Sequence, residues 1–339
     1  MSNLIEVKDL TVEFKGPKKG MFGKRSASVF AVDAVSLDIR KGEALGLVGE
    51  SGSGKTTFGR AVLRLQEPTG GSVQMNAKSG TKIITDLDAK TLRKSWQQMQ
   101  MVFQDPNSSL NSRMTVLDTI AESLLVNGLA KNIKEARPKV AEVAESCGLT
   151  TDQLSRYPHA FSGGQRQRIS IARALVMGPE FIVCDEPVSA LDVSIQAQVL
   201  NLLIDQQEKL DLTLLFISHD LVVVAYICDR IAVMYLGNII EIAPTKALFQ
   251  GPLHPYTEAL MSAIPSDDPD HELSDNMLAG EATGAVSATR QGCLFSPRCA
   301  YSDGDKCNRV KPPLVDAGPD HKVACHFADK LSLTGYGDL

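Results

Sequence analysis

The sequence predicts an α/β fold built on buried parallel strands, and three observations carry that prediction. Ala44–Val48, Phe181–Cys184 and Leu212–Ile217 are short apolar runs, the last broken only by Thr213, the pattern of parallel strands covered on both faces. Each run is followed at once by glycines or polar residues, which places reactive side chains at the carboxyl ends of strands, where open α/β sheets bind their ligands. The first run passes through a glycine-rich turn, Gly49–Lys55, into the helical pattern Thr56–Leu65. With 339 residues, 43% hydrophobic and 22% charged, the chain has the composition of a globular protein, enough for one large domain and a smaller appendage. A net charge of −5 argues against broad nucleic-acid binding, which requires a basic face.

Taken in order, Ile5–Phe14 alternates apolar and polar residues, and Val29–Ile39 does so more loosely, so both read as strands. Lys15–Ser28, rich in Gly, Lys and Ser, reads as a loop between them. Ala89–Gly178 is helical in character. From about Ile264 the texture changes, and Ser266–Ala288 reads as a linker or mobile loop. No run approaches the ~18 apolar residues of a membrane span. The opening MSNLIEVKDL has no apolar signal core, so a cytoplasmic location is expected. Cys147, Cys184 and Cys228 stand singly in apolar surroundings and read as buried, inert thiols. Cys293, Cys299, Cys307 and Cys325 crowd into the last 47 residues.

The chemistry-bearing motifs follow the strands. Gly49, Glu50, Ser51, Gly52, Ser53, Gly54, Lys55 and Thr56 fit the loop GxxxxGK[ST], with Thr57 next. Glycines let backbone N–H groups turn inward around phosphate oxygens, Lys55 adds a point charge, and the Thr56 hydroxyl can ligate Mg²⁺. The following helix aims its positive end at the same phosphates. Phe181–Pro187 is an apolar strand ending in Asp185, placed to hold Mg²⁺ through water, and Glu186, placed to polarise an attacking water as general base. Alone, that pair is equally a structural strand end. Phe161, Ser162, Gly163, Gly164 and Gln165 precede a helix expected to begin near Arg166, and form either a second anion cradle or a plain helix cap. His219 follows the third strand, where it can sense a γ-phosphate, although a lone histidine is more often structural. Gln104, in Val-Phe-Gln-Asp-Pro, carries no signal by itself.

Together these pieces resemble the ATP-binding-cassette (ABC) ATPases across residues 5–250: phosphate loop 49–56, Gln104 as the Q-loop, Phe161–Gln165 as the signature, Phe181–Pro187 as Walker B, Ser189–Asp192 as the D-loop and His219 as the switch histidine. The signature departs in one place, with Phe161 where Leu is usual. The resemblance implies an α/β P-loop NTPase fold with a mixed sheet core, an antiparallel N-terminal β subdomain and a helical signature subdomain at about 89–178. It also implies ATP and Mg²⁺, with Thr56, Gln104 and Asp185 at the metal. Two cassettes would pair head to tail, each ATP held by one chain's Lys55 loop and the other's Ser162, Gly163, Gly164 and Gln165, with Asp192 near the shared site. Phe14 is the expected adenine-stacking residue, with Phe22 and Phe30 as alternatives.

Pro252–Thr257, the Glu258–Pro265 segment after it and the C-x5-C-x7-C-x17-C tail resemble the oligopeptide/dipeptide importer ATPases. That resemblance divides the chain into a nucleotide domain (1–255), a connector (256–290) and a small cysteine-rich extension (291–339). Four readings stay open for the tail. Disulfides are disfavoured in a reducing compartment, and zinc normally shows close C-x2–4-C pairs, absent here. A [4Fe–4S] cluster, which the resemblance favours, needs the four thiolates gathered by the fold; four unligated thiols complete the set. The implied partners are a second, paralogous ATPase subunit, two transmembrane permease subunits and an extracytoplasmic substrate-binding protein, with no nucleic acid. The implied place is the cytoplasmic face of the inner membrane, and the implied cargo peptide, with oligosaccharides, opines or nickel as alternatives. A non-transport cassette fits less well: only 106 residues lie between Lys55 and Ser162, too few for a long coiled coil, and the chain has one cassette.

Overall fold

The structure, a computed structural model, describes residues 2–16, 28–264 and 291–337. In chain order the strands and helices are β1 (Asn3–Phe14), β2 (Val29–Arg40), β3 (Ala44–Val48), α1 (Lys55–Val62), β4 (Gly70–Ala77), β5 (Gly80–Ile83), α2 (Ala89–Ser95), β6 (Met99–Val102) and α3 (Pro106–Ser109). They continue with α4 (Val116–Val126), α5 (Ile133–Ser146), α6 (Gly163–Leu175), β7 (Phe181–Asp185), α7 (Val193–Leu210), β8 (Thr213–Ile217) and α8 (Leu221–Ile227). The last part holds β9 (Arg230–Tyr235), β10 (Asn238–Pro244), α9 (Thr245–Gln250), α10 (Pro255–Met261), α11 (Lys306–Arg309), β11 (Val315–Gly318) and β12 (His321–Val323). The linker expected at Ser266–Ala288 lies outside the described residues, as does most of the loop expected at Lys15–Ser28.

The chain divides into two compact units, 1–5, 39–43 and 74–217 in one, 6–38, 44–73 and 218–339 in the other. In the first, β4 and β5 form an antiparallel hairpin with Ala77 opposite Gly80. Parallel strands β6, β7 and β8 lie in that order, Val102 opposite Cys184 and Asp185 opposite Ile217. Every residue of β7 and β8 is buried, as parallel strands covered on both faces require. Helices α4, α5 and α6 pack together, burying Ile120, Val140 and Ile169. The stretch 89–178 is mostly helical, and Met99–Val102 is a four-residue strand within it, too short for its period to register in the sequence.

In the second unit β2, β1 and β4 are neighbours, and β1 shows the alternating burial its sequence predicts. The other strands run in the order β11, β12, β10, β9, β3. β3 is parallel to β9, whereas β9, β10, β12 and β11 pair antiparallel, so this sheet is mixed. The cysteine-rich tail therefore does not hang apart: its strand β12 pairs with β10, Glu241 opposite Val323.

Candidate nucleotide site

The loop after β3 is held shut by its own residues. Lys55 Nζ donates to the carbonyl oxygens of Gly49 (2.7 Å) and Glu50 (2.9 Å) and reaches Ser53 Oγ at 3.3 Å. The ammonium thus sits inside the turn, 5% exposed, with its charge delivered to the cradle. Two glycines are obligatory. Gly54 has φ +105°, and a Cβ there would overlap the Ala31 carbonyl oxygen; Gly49, at φ +149°, would meet the Met234 carbonyl oxygen. Behind the turn the Gly237 N–H donates to the Ser53 carbonyl at 2.8 Å. The resulting cradle of backbone N–H groups, capped by α1 and backed by Lys55, fits a phosphate chain.

Glu50 is fastened twice. Its N–H donates to the Tyr256 hydroxyl at 2.9 Å, and its carboxylate meets the Arg298 guanidinium through two contacts of 3.0 Å. Tyr235, Tyr256 and Phe295 form an aromatic cluster beside Arg298, whose guanidinium lies 6.0 Å from the ring centres of Tyr235 and Phe295. Hydrogen bonding to Glu50, above all, raises the Arg298 pKa further above its ordinary value. Sequence reasoning missed both Tyr256 and Arg298, because their role exists only through contacts with a residue more than 200 positions away.

Within the same unit, the Ser218 N–H donates to the Leu47 carbonyl at 3.2 Å, which brings the exposed His219 beside the carboxyl end of β3. Asp220 caps α8 by accepting from the N–H groups of Val222 and Val223. Phe14 ends β1 and is 45% exposed, and Phe30 is half-buried on β2. Phe22 lies outside the described residues.

The first unit gathers the carboxylates. Parallel pairing of β6 with β7 brings Gln104, two residues past β6, to Glu186, one past β7: Gln104 Nε2 donates to Glu186 Oε2 at 2.8 Å. Asp185 is the buried last residue of β7. Glu186 has φ +46°, uncommon for a non-glycine residue, and its N–H donates to the Ile217 carbonyl at 2.9 Å. That left-handed turn directs the side chain away from the strand and toward Gln104. Helix α6 begins at Gly163, three residues earlier than expected, because Ser162 and Gln165 form a reciprocal capping box. Ser162 and Gly163 are exposed, and Asp192, the exposed cap of α7, makes no side-chain capping bond.

In the tail, Cys293, Cys299, Cys307 and Cys325 line one small cavity with His254 and Phe295. Burial, chiefly, pushes the Cys299 thiol up to about 11, with the other three cysteines adding to the shift, and burial also raises Cys325. A four-thiolate cluster would need all four thiols drawn together at one point. Among the described residues, however, no three or more His, Cys, Asp or Glu side chains are drawn close enough to hold a metal ion. Cys147, Cys184 and Cys228 are buried, as expected; burial raises the first two to about 12.

Residues 32–189 match the ABC transporter family, and residues 240–307 match the oligopeptide/dipeptide transporter C-terminal region. The oligopeptide transport ATP-binding protein OppF of Bacillus subtilis is 54% identical over 269 residues, covering 79% of this chain and 85% of that one. This chain belongs to the ABC transporter ATPases. The AppF oligopeptide transport ATP-binding protein of the same organism is 44% identical over 327 residues, covering 96% of the ABC ATPase described here and 97% of its own length. A dimeric ATP-binding cassette in a post-hydrolysis state, bound to ADP and Pi, superposes with a TM-score of 0.61 at 28% identity, covering 71% of this chain and 98% of that one. The fold is accordingly that of an ABC-type P-loop NTPase, and the enzyme an ATPase coupled to transport. No helix among the described residues is long and apolar enough to cross a membrane.

Proposed function

We propose that this ABC ATPase powers the import of di- and oligopeptides. Two observations carry that reading together: the likeness to OppF, and the match of residues 240–307 to the oligopeptide/dipeptide transporter C-terminal region. In this reading the backbone N–H groups of 49–57 and Lys55 hold the ATP phosphates, and Phe14 stacks on adenine. Thr56, Asp185 and Gln104 are the residues that hold Mg²⁺, which neutralises charge on the phosphates. Glu186, positioned by Gln104, takes a proton from the attacking water, and His219 contacts the γ-phosphate. The Ser162–Gln165 segment, with Ser162 and Gly163 exposed, and Asp192 complete the site of a second ATPase subunit, a paralogue. This ATPase sits at the cytoplasmic face of the inner membrane, and two transmembrane permease subunits and an extracytoplasmic substrate-binding protein complete the importer. The domains follow the sequence division at 255 and 290, and the four tail thiols ligate a [4Fe–4S] cluster.

The test joins uptake to turnover. A strain lacking this gene should lose uptake of labelled tri- to pentapeptides, and Glu186→Gln in the assembled importer should bind ATP while hydrolysing it at least ~100-fold more slowly. Normal peptide uptake with lost nickel, opine or oligosaccharide uptake would reassign the cargo, and near-normal hydrolysis would remove Glu186 as base. Anaerobically purified protein should be brown, with about four irons per chain; stoichiometric zinc in colourless protein would replace the cluster.

A further inference from the structure

Glu50 is an acid within a loop that receives a triphosphate. Its carboxylate carries the same sign as the ligand, and left uncompensated it would repel the phosphates from the cradle they enter. The Arg298 guanidinium grips it through two parallel contacts of 3.0 Å, Nη1 to Oε2 and Nη2 to Oε1. Arg298 is 10% exposed and Glu50 23%, so water screens the pair only partly. On the other side, the Tyr256 hydroxyl takes the Glu50 N–H. Backbone and side chain of one loop residue are thus both held by the C-terminal third of the chain, through a residue adjacent to Cys299.

We propose that Arg298 is a positioning residue for ATP binding: it neutralises Glu50 and holds the carboxylate away from the phosphates, so the tail sets the charge of the loop. The inference rests on the reading of 49–57 as the ATP loop. It makes the tail part of the nucleotide site's electrostatics and not only a covering of β10.

A tether and a neutralising charge give different mutant patterns. If Arg298 neutralises Glu50, Arg298→Met leaves a half-buried carboxylate uncompensated and weakens ATP binding by about ten-fold. The KM for ATP in the assembled transporter rises in parallel, with kcat within about two-fold. Glu50→Gln removes the offending charge, so once it is in place Arg298→Met should cost little more: the double variant Glu50→Gln/Arg298→Met binds ATP within about three-fold of the Glu50→Gln single variant. Arg298→Lys keeps the charge without the fork and falls between. The assay is equilibrium binding of a fluorescent ATP analogue to the full chain, with thermal melts of every variant alongside. Unchanged ATP affinity in Arg298→Met, with a lowered melting temperature, would make Arg298 a structural tether and overturn the proposal. A double variant about ten-fold weaker than Glu50→Gln would do the same. Should Arg298→Met fail to fold, Arg298→Lys decides: binding weakened ten-fold despite the retained charge refutes neutralisation. Lys55→Ala separates the two readings, because tight ATP binding by that variant would unseat the loop assignment itself, whereas its loss beside unaffected Arg298 variants would unseat only the present inference.

Discussion

Glu241 offers the sharpest stability prediction. It lies on β10 with 0% of its surface exposed, and its two oxygens meet four partners. Oε1 accepts from the Leu253 N–H at 2.6 Å and lies 2.8 Å from His321 Nε2; Oε2 accepts from the His254 N–H at 3.1 Å and the Thr257 hydroxyl at 2.5 Å. One carboxylate thereby ties β10 to the start of α10 and to β12. Hydrogen bonds to a charged acceptor contribute about 1.5–3 kcal/mol each, an additive total of roughly 6–12 kcal/mol. The desolvation that the carboxylate no longer suffers offsets much of this, and removing one member of a buried charged cluster costs about 3–5 kcal/mol. Glu241→Ala is therefore expected to destabilise the protein by about 4 kcal/mol, lowering the melting temperature by roughly 5–6 °C. Glu241→Gln, which keeps one acceptor but turns an amide NH₂ toward N–H donors, should lose about half as much. Thermal and urea unfolding followed by circular dichroism measure both variants. A loss below about 1 kcal/mol for Glu241→Ala would refute the hub reasoning, because it would mean that the four donors find equal partners without the carboxylate.

Two further outcomes follow from the same region and from the loop. His254 is 2% exposed, its Nδ1 accepts the Tyr256 N–H, and burial pushes its pKa down to about 3. The unfolded chain therefore takes up a proton near pH 6.5 that the folded chain refuses, so stability falls as pH drops from 6.5 toward 3. The loss is about 2 kcal/mol at pH 5. His254→Asn, which keeps an N-cap acceptor, should flatten that slope in urea titrations at pH 5 and pH 7; an unchanged slope would show the proton is bound elsewhere. Gly54→Ala should strain the φ +105° turn and push against the Ala31 carbonyl, costing the loop about 2–4 kcal/mol and weakening ATP binding at least about thirty-fold. Calorimetry showing wild-type affinity would mean that the loop does not bind in this conformation.

What the sequence revealed and concealed has a physical pattern. Ala44–Val48 matches β3 residue for residue, and Phe181–Cys184 and Leu212–Ile217 fall within one residue of β7 and β8. Burial on both faces leaves an unbroken apolar run that any reader can see. The Lys55 loop was legible because its chemistry is local: its ammonium meets Gly49, Glu50 and Ser53, all within six residues. Gln104 was visible only through resemblance: nothing in its surroundings predicts the 2.8 Å bond to Glu186, which parallel pairing of β6 and β7 creates. β12 has three residues, below any period that a sequence can display, and its place beside β10 involves a contact between Glu241 on β10 and His321 on β12, 80 residues apart. The four tail cysteines were visible by type, but their shared cavity depends on turns such as the Cys293 N–H to Cys307 carbonyl bond of 2.7 Å.

The bond between Glu50 and Arg298 joins residues 248 positions apart, and that distance has a meaning in time. At about 5–20 residues per second, ribosomes need roughly 12–50 s to pass from one to the other. Throughout that interval the newly made ATP loop carries a carboxylate whose cation has not yet been synthesised. A nascent chain truncated before residue 298 holds the loop's full sequence without this means of neutralising it, so nucleotide capture should mature only as the end of the chain leaves the ribosome.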